Sequence, residues 1–229
     1  VRPQFEGASA SCGDGSMKLF SRLAHDENGG PAAEFALVLP VALLFLAGII
    51  DVGRYMWTYN EAEKATQMGV RYAVTTDAVP SGLAGYSFAQ SCGVTQGNQI
   101  SSAQFPGMTC QGGGTVAAPT VNCTFPVASS CTTNAIPNTS NVNAFGNIVN
   151  RMRLFKPDIA PAQVQIRYSN SGLGYAGDPT GMDVAPLVTI TVTGLQFKPL
   201  TTQIFGTAFT IGPFSYSLTM EDGQGTYSN

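Results

Sequence analysis

Sixteen consecutive residues, Phe35 to Ile50, carry no charge, and the run reaches about twenty if Pro31 to Glu34 are counted with it. An α-helix needs roughly 17–25 such residues to cross the hydrocarbon core of a bilayer. The run therefore reads as a membrane span. One acid, Glu34, stands at its mouth, and an acid inside a membrane costs on the order of 2.5–3.5 kcal/mol at mid-bilayer, which marks it as functional. A cleavable secretory signal is the competing reading, with an apolar region of about 7–15 residues and a small-x-small cleavage site. Phe45-Leu-Ala47 is a poor site of that kind.

The helical pattern continues past Ile50. Val52, Tyr55, Tyr59, Ala62, Ala65, Gly69 and Tyr72 recur at steps of three and four, with Arg54, Glu61, Glu63, Lys64 and Arg71 between them. That spacing predicts an amphipathic helix. Joined to the span it gives one helix from about Ala32 to Thr76, bent at Pro40, where a hydrogen-bond donor is missing. Tyr55, Trp57 and Tyr59 fit two roles, an aromatic belt at the membrane surface or packing against the rest of the chain. Lys18 and Arg22 precede the span, and Asp51 follows it ahead of Arg54. Counting Lys and Arg favours a cytoplasmic N-terminus.

Only 11% of the 229 residues are charged, the formal net charge is -3, and Gly, Ser, Thr and Asn crowd the second half. No clustered basic face suggests nucleic acid. Met17-Lys-Leu-Phe-Ser-Arg reads as a translation start, which sets Cys12 in a leader and leaves Cys92, Cys110, Cys123 and Cys131 beyond the span. Four cysteines there fit an oxidising compartment. Three pairings are open, and the sequential one, Cys92 with Cys110 and Cys123 with Cys131, is the expectation.

The expected divisions are a cytoplasmic leader over 1–28, the long helix over 29–77, a Gly/Ser/Thr-rich disulfide-stapled loop region over 78–142, and an α+β domain over 143–229. Within 78–142, Gly112-Gly-Gly114 reads as a flexible stretch, because no Gly-Lys-Ser/Thr follows it as in a phosphate loop. A short amphipathic helix is expected over Asn143–Phe155. Strands are expected over Gln163–Tyr168, over Leu187–Val192, and over Phe209–Met220 with a break at Gly212-Pro213. The fold class is α+β, one short helix on an antiparallel sheet of three or four strands behind a long membrane helix.

Catalytic chemistry finds little footing. The one histidine, His25, precedes the span, so no His-based nucleophile pair or His-ligated zinc is available beyond it. The carboxylates Asp158, Asp178, Asp183, Glu221 and Asp222 show no catalytic spacing and read as solvated turn residues; Asp178-Pro-Thr-Gly-Met-Asp183 lacks the ligand alternation of a calcium loop. No enzyme, cofactor or metal is expected.

Three stretches carry a resemblance: Gly29-Gly-Pro-Ala-Ala-Glu-Phe-Ala-Leu-Val-Leu-Pro, Gly48-Ile-Ile-Asp-Val-Gly-Arg54, and Asn60-Glu-Ala with Gly69-Val-Arg-Tyr-Ala73. Together they resemble the TadE-like family of pilin-related proteins of tight-adherence (Flp type) pili. Val188-Thr-Ile-Thr-Val-Thr, Phe197-Lys-Pro-Leu200, Phe205-Gly206 and Leu218-Thr-Met-Glu221 resemble the end of such proteins. The resemblance implies a prepilin-type processing motif of Gly29, Gly30, Glu34 and Phe35, with a cut after Gly29 making Glu34 the fifth mature residue. Pro31 at the second mature position and the acids Asp26 and Glu27 depart from the usual pattern. Glu34 would then contact the free amino terminus of a neighbouring subunit; its other reading is a helix cap. The implied partners are other pilin-like subunits, the pilus assembly machinery, a prepilin peptidase and membrane lipid. The implied location is a bacterial inner membrane, single-pass, with the C-terminal part periplasmic or extracellular. Expected alternatives are an uncleaved membrane-anchored module that binds a surface and, weakest, a membrane-tethered hydrolase.

Overall fold

In a computed structural model of the chain, residues 30–131, 134–179, 181–203 and 208–220 are described. The expected leader over 1–28 with Cys12 and His25, and also Gly29, Phe205-Gly206, Glu221 and Asp222, lie outside them. The chain divides into two units, Val1–Ile50 and Asp51–Asn229. Helix α1, Gly30–Ala73, is 44 residues long and continues through Pro40. Its first part, in the first unit, presents exposed apolar side chains: Phe35, Leu37, Phe45 and Ile49 are 65–78% exposed.

In the second unit, α1 buries Ala62, Ala65, Thr66, Gly69, Val70 and Ala73. Ala62, Ala65 and Gly69 are on the stripe that the three- and four-residue steps predicted, and Thr66, Val70 and Ala73 widen it; Val52 and Tyr59, placed on the stripe by their spacing, are 60% and 41% exposed. After α1 come two single turns, α2 (Ser81–Ala84) and α3 (Phe88–Ser91), then strands β1 (Met108–Gly114) and β2 (Pro119–Thr124). Helix α4 (Val142–Arg153) follows, capped at its start by the Asn141 side chain, which accepts from the Ala144 N–H at 3.0 Å. It buries Ala144, Phe145, Ile148, Val149 and Met152, the face its periodicity predicts.

The remaining strands are β3 (Val164–Ser169), β4 (Leu187–Val192), β5 (Gln196–Phe197), β6 (Phe209–Thr210) and β7 (Phe214–Thr219), with a turn α5 (Leu200–Gln203) between β5 and β6. One antiparallel sheet has the order β2-β1-β3-β4-β7; β5 and β6 pair by themselves. The sheet thus has five strands, where three or four were expected. Alternation explains β3 and β4: Val164, Ile166 and Tyr168, with Val188, Ile190 and Val192, are buried on one face. Gly212-Pro213 separates two strands, β6 and β7, that belong to different sheets.

The segment 78–142 is more ordered than a stapled loop. Met108, Cys110 and Gly112 all face inward along β1, so Gly112-Gly113-Gly114 lies in a strand. A Cβ at Gly112 would stand 2.2 Å from the Pro161 carbonyl oxygen and 2.3 Å from Phe145 Cζ. The glycine there is a packing requirement. Tyr168, fully buried, accepts the Val79 N–H at its hydroxyl (3.2 Å) and ties the segment's start to β3.

The sequential disulfide pairing is not the one formed. Cys110 and Cys123 are directly opposed in the β1–β2 ladder and are bonded to each other. Cys92, just after α3, is bonded to Cys131. The hairpin decides the matter, because it sets Cys110 beside Cys123 and leaves the outer two to pair. The bridges span 13 and 39 residues, for which chain entropy gives about 3 and about 4 kcal/mol.

Asp183 also departs from expectation. It is buried, and it accepts the Phe88 N–H at 2.7 Å and the Asp178 N–H at 3.0 Å, joining its own turn to the start of α3 as a structural acceptor. Asp158 pairs with Lys156 at 2.8 Å.

Non-reducing peptide mapping is expected to recover Cys110 linked to Cys123 and Cys92 linked to Cys131; a Cys92–Cys110 peptide would overturn the hairpin. Gly112→Ala is expected to destabilise the chain by about 1–3 kcal/mol in denaturant melts, the usual cost of overpacking.

Candidate functional site

Two features of α1 bear on function. The first is its apolar part. By length and composition α1 is the one helix among the described residues able to cross a membrane, and only 6% of its most apolar 18-residue window is buried. A soluble chain would cover such a surface; bare, it calls for lipid or another apolar partner. Gly30 is the first residue of α1 as described, and no acid stands in its first turn. Glu34 and Phe35 follow one turn in, both exposed. Glu34 has no hydrogen-bond or ion-pair partner among the described residues. Of the processing residues, Gly30, Glu34 and Phe35 share one exposed helix end, and Gly29 lies outside the described residues.

The second feature is a collar around residues 51–59, all within the second unit. Asp51, only 7% exposed, accepts the Leu200 N–H at 2.6 Å with Oδ1 and the Thr201 N–H at 2.9 Å with Oδ2. Oδ2 also accepts the Thr201 hydroxyl at 2.8 Å. Arg54 approaches Oδ1 at 3.3 Å. A single carboxylate therefore satisfies the first free amides of α5 from 149 residues away in sequence. Backbone amides held by a carboxylate make charge-assisted bonds, stronger than neutral ones.

Aromatic packing continues the collar. Tyr55 meets Phe197 edge-on at 5.5 Å, and Tyr59 meets Phe214 at 4.9 Å. Arg54 lies over the Phe197 ring at 5.7 Å. Of the two roles open to these aromatics, Tyr55 and Tyr59 take packing. Trp57 is 70% exposed and donates to Glu61 at 2.6 Å. Phe197 is held in turn by its ladder partner Phe209 in β6.

Asp51 as a clamp went unread in the sequence, where it served only as a charge flanking the span. A signal existed: it is the one acid between Glu34 and Glu61, and an acid abutting an apolar run demands a partner. Its partners are backbone amides, which no side-chain pattern reveals.

The apolar span, the acid at its mouth and the clamp directly behind it fall in one continuous stretch of α1. Residues 29–71 are TadE-like. They match the family model described as TadE-like protein. No curated protein and no solved structure matches the chain. The TadE-like stretch ends two residues before α1 does, so it holds the span and most of the packed part of the helix. The likeness over these residues implies a protein associated with a tight-adherence pilus system, and the exposed apolar helix fits a membrane anchor.

Removing the Asp51 carboxylate is expected to loosen the collar. In Asp51→Ala, the Leu200 and Thr201 amides should lose protection in hydrogen exchange and the melting temperature should fall, with Asp51→Asn intermediate. Unchanged protection at both amides would show that the clamp does not hold α5.

Proposed function

We propose that this chain is a minor pilin-like subunit or assembly factor of a tight-adherence pilus, without catalytic activity. It is held in the inner membrane by α1, with the N-terminus cytoplasmic and the disulfide-bonded α+β part outside. A prepilin peptidase cuts after Gly29, so that Gly30 becomes the mature amino terminus and Glu34 the fifth residue. The observation that carries this reading is the exposed apolar part of a TadE-like α1 with one acid at its mouth, Glu34, that has no partner among the described residues.

The physics of that acid supplies the assembly step. A lone carboxylate at the edge of the hydrocarbon is unfavourable, and a positive group brought by a neighbour neutralises it. The free amino terminus of another processed subunit is such a group. Docking then gains by the removal of an exposed charge as well as by the contact of apolar helix surfaces. The two disulfides support a location outside the cytoplasm. The partners are other pilin-like subunits and the assembly machinery.

Mass spectrometry of the protein extracted from its own membrane is expected to show a chain beginning at Gly30. An intact N-terminus in cells that contain a prepilin peptidase would leave the uncleaved surface-binding anchor as the reading. Glu34→Ala should insert normally and fail to enter assemblies; normal incorporation would remove the neutralisation step.

A further inference from the structure

Beside the collar lies a cavity of about 470 Å3 in the second unit, lined in part by Arg54, Thr58, Lys156, Asp158, Gln196 and Lys198. Three of its lining side chains are cationic and one is acidic. The acid, Asp158, is already bonded to Lys156. Asp51 and Glu61, which do not line the cavity, pair with Arg54 at 3.3 Å and with Lys156 at 3.7 Å. Lys198 is exposed and has no ion-pair partner among the described residues. The Phe197 ring, under the Arg54 guanidinium, lines the same cavity.

Place along the helix decides what such a cavity meets. Arg54 follows Ile50, the last residue of the apolar run, by four residues, about 6 Å of helix at 1.5 Å per residue. The headgroup layer on each side of a bilayer is about 5–8 Å deep. If α1 crosses the membrane with Ile50 at the edge of the hydrocarbon, Arg54 lies at the depth of the lipid phosphates. Exposed apolar side chains flank it at Val52 and Met56 on α1, and at Leu200 and Phe209 on the collar.

We propose that this cavity receives the phosphate headgroup of an anionic phospholipid from the leaflet at which α1 emerges past Ile50, with Arg54 and Lys198 as the pairing cations. The collar is then a lipid-reading seat as well as a clamp. Cations near a membrane surface gain about 1 kcal/mol each from anionic lipid, so each contributes about fivefold in preference. This inference rests on α1 being a membrane anchor.

The test uses the full chain purified in neutral detergent and offered equal amounts of phosphatidylglycerol and phosphatidylcholine, with retained lipid read by native mass spectrometry. Phosphatidylglycerol is expected to be retained over phosphatidylcholine by fivefold or more, by the same estimate. Arg54→Gln with Lys198→Gln should abolish that preference, whereas Arg54→Lys should keep it. Lys198→Gln alone, an exposed change that leaves the fold intact, should lower it. Equal retention of the two lipids by the unaltered chain, or a preference that survives in the double variant, would overturn the proposal. Displacement of the lipid by inorganic phosphate, with a phosphate adduct in its place, would reassign the cavity to a free anion. Alkaline extraction separates the two readings: a chain released from membranes overturns the anchor itself, while a chain that stays without lipid preference overturns only the seat.

Discussion

The second unit depends on how closely its part of α1 can approach α4 and the sheet. That approach is set by a stripe of alanine and glycine, Ala62, Ala65, Gly69 and Ala73, all of them buried. At Gly69 the limit is atomic: a Cβ there would lie 2.6 and 2.8 Å from Met152 Cγ and Sδ and 3.4 Å from Ile190. A larger side chain would lift the helix off both α4 and β4. With the helix seated, Phe145, Ile148, Ile166 and Ile190 close into one core. Small residues give up buried apolar area in exchange for backbone proximity, and here the proximity is what lets one helix serve the sheet and still continue into the apolar run.

Much of this was legible in the sequence for one reason: local periodicity reports burial. The stripe on α1, the inward face of α4 and the alternation in β3 and β4 all come from side chains whose partners share one side of one element. The apolar run and the acid at its mouth were legible for the same reason, since composition alone opposes water.

What was not legible depends on contacts between distant segments. β1 contains three glycines in a row, a composition that argues for a loop, and it is a strand because it pairs with β2 and β3, with Gly112 leaving the space that Phe145 and the Pro161 carbonyl occupy. The cysteine pairing followed from that hairpin and could not be read before it. Asp183 and Asp51 look like surface acids, yet each accepts the first backbone amide of a helical turn far off in the sequence. An amide has no sequence signature, so a carboxylate whose partners are amides resembles a solvated one until the fold brings the chain back to it.

Both disulfides close within residues 92–131. Neither reaches α1, and neither reaches β3, β4 or β7. The covalent staples therefore stiffen one margin of the sheet and lie outside any load path that enters through α1. A pull along that helix is borne by noncovalent contacts alone, the Asp51 clamp first in chain order and then the alanine-glycine seam, and β4 carries it onward to its neighbours. The mechanical limit of the chain is set by the seam and the clamp, and the sulfur bridges would remain intact after both had yielded.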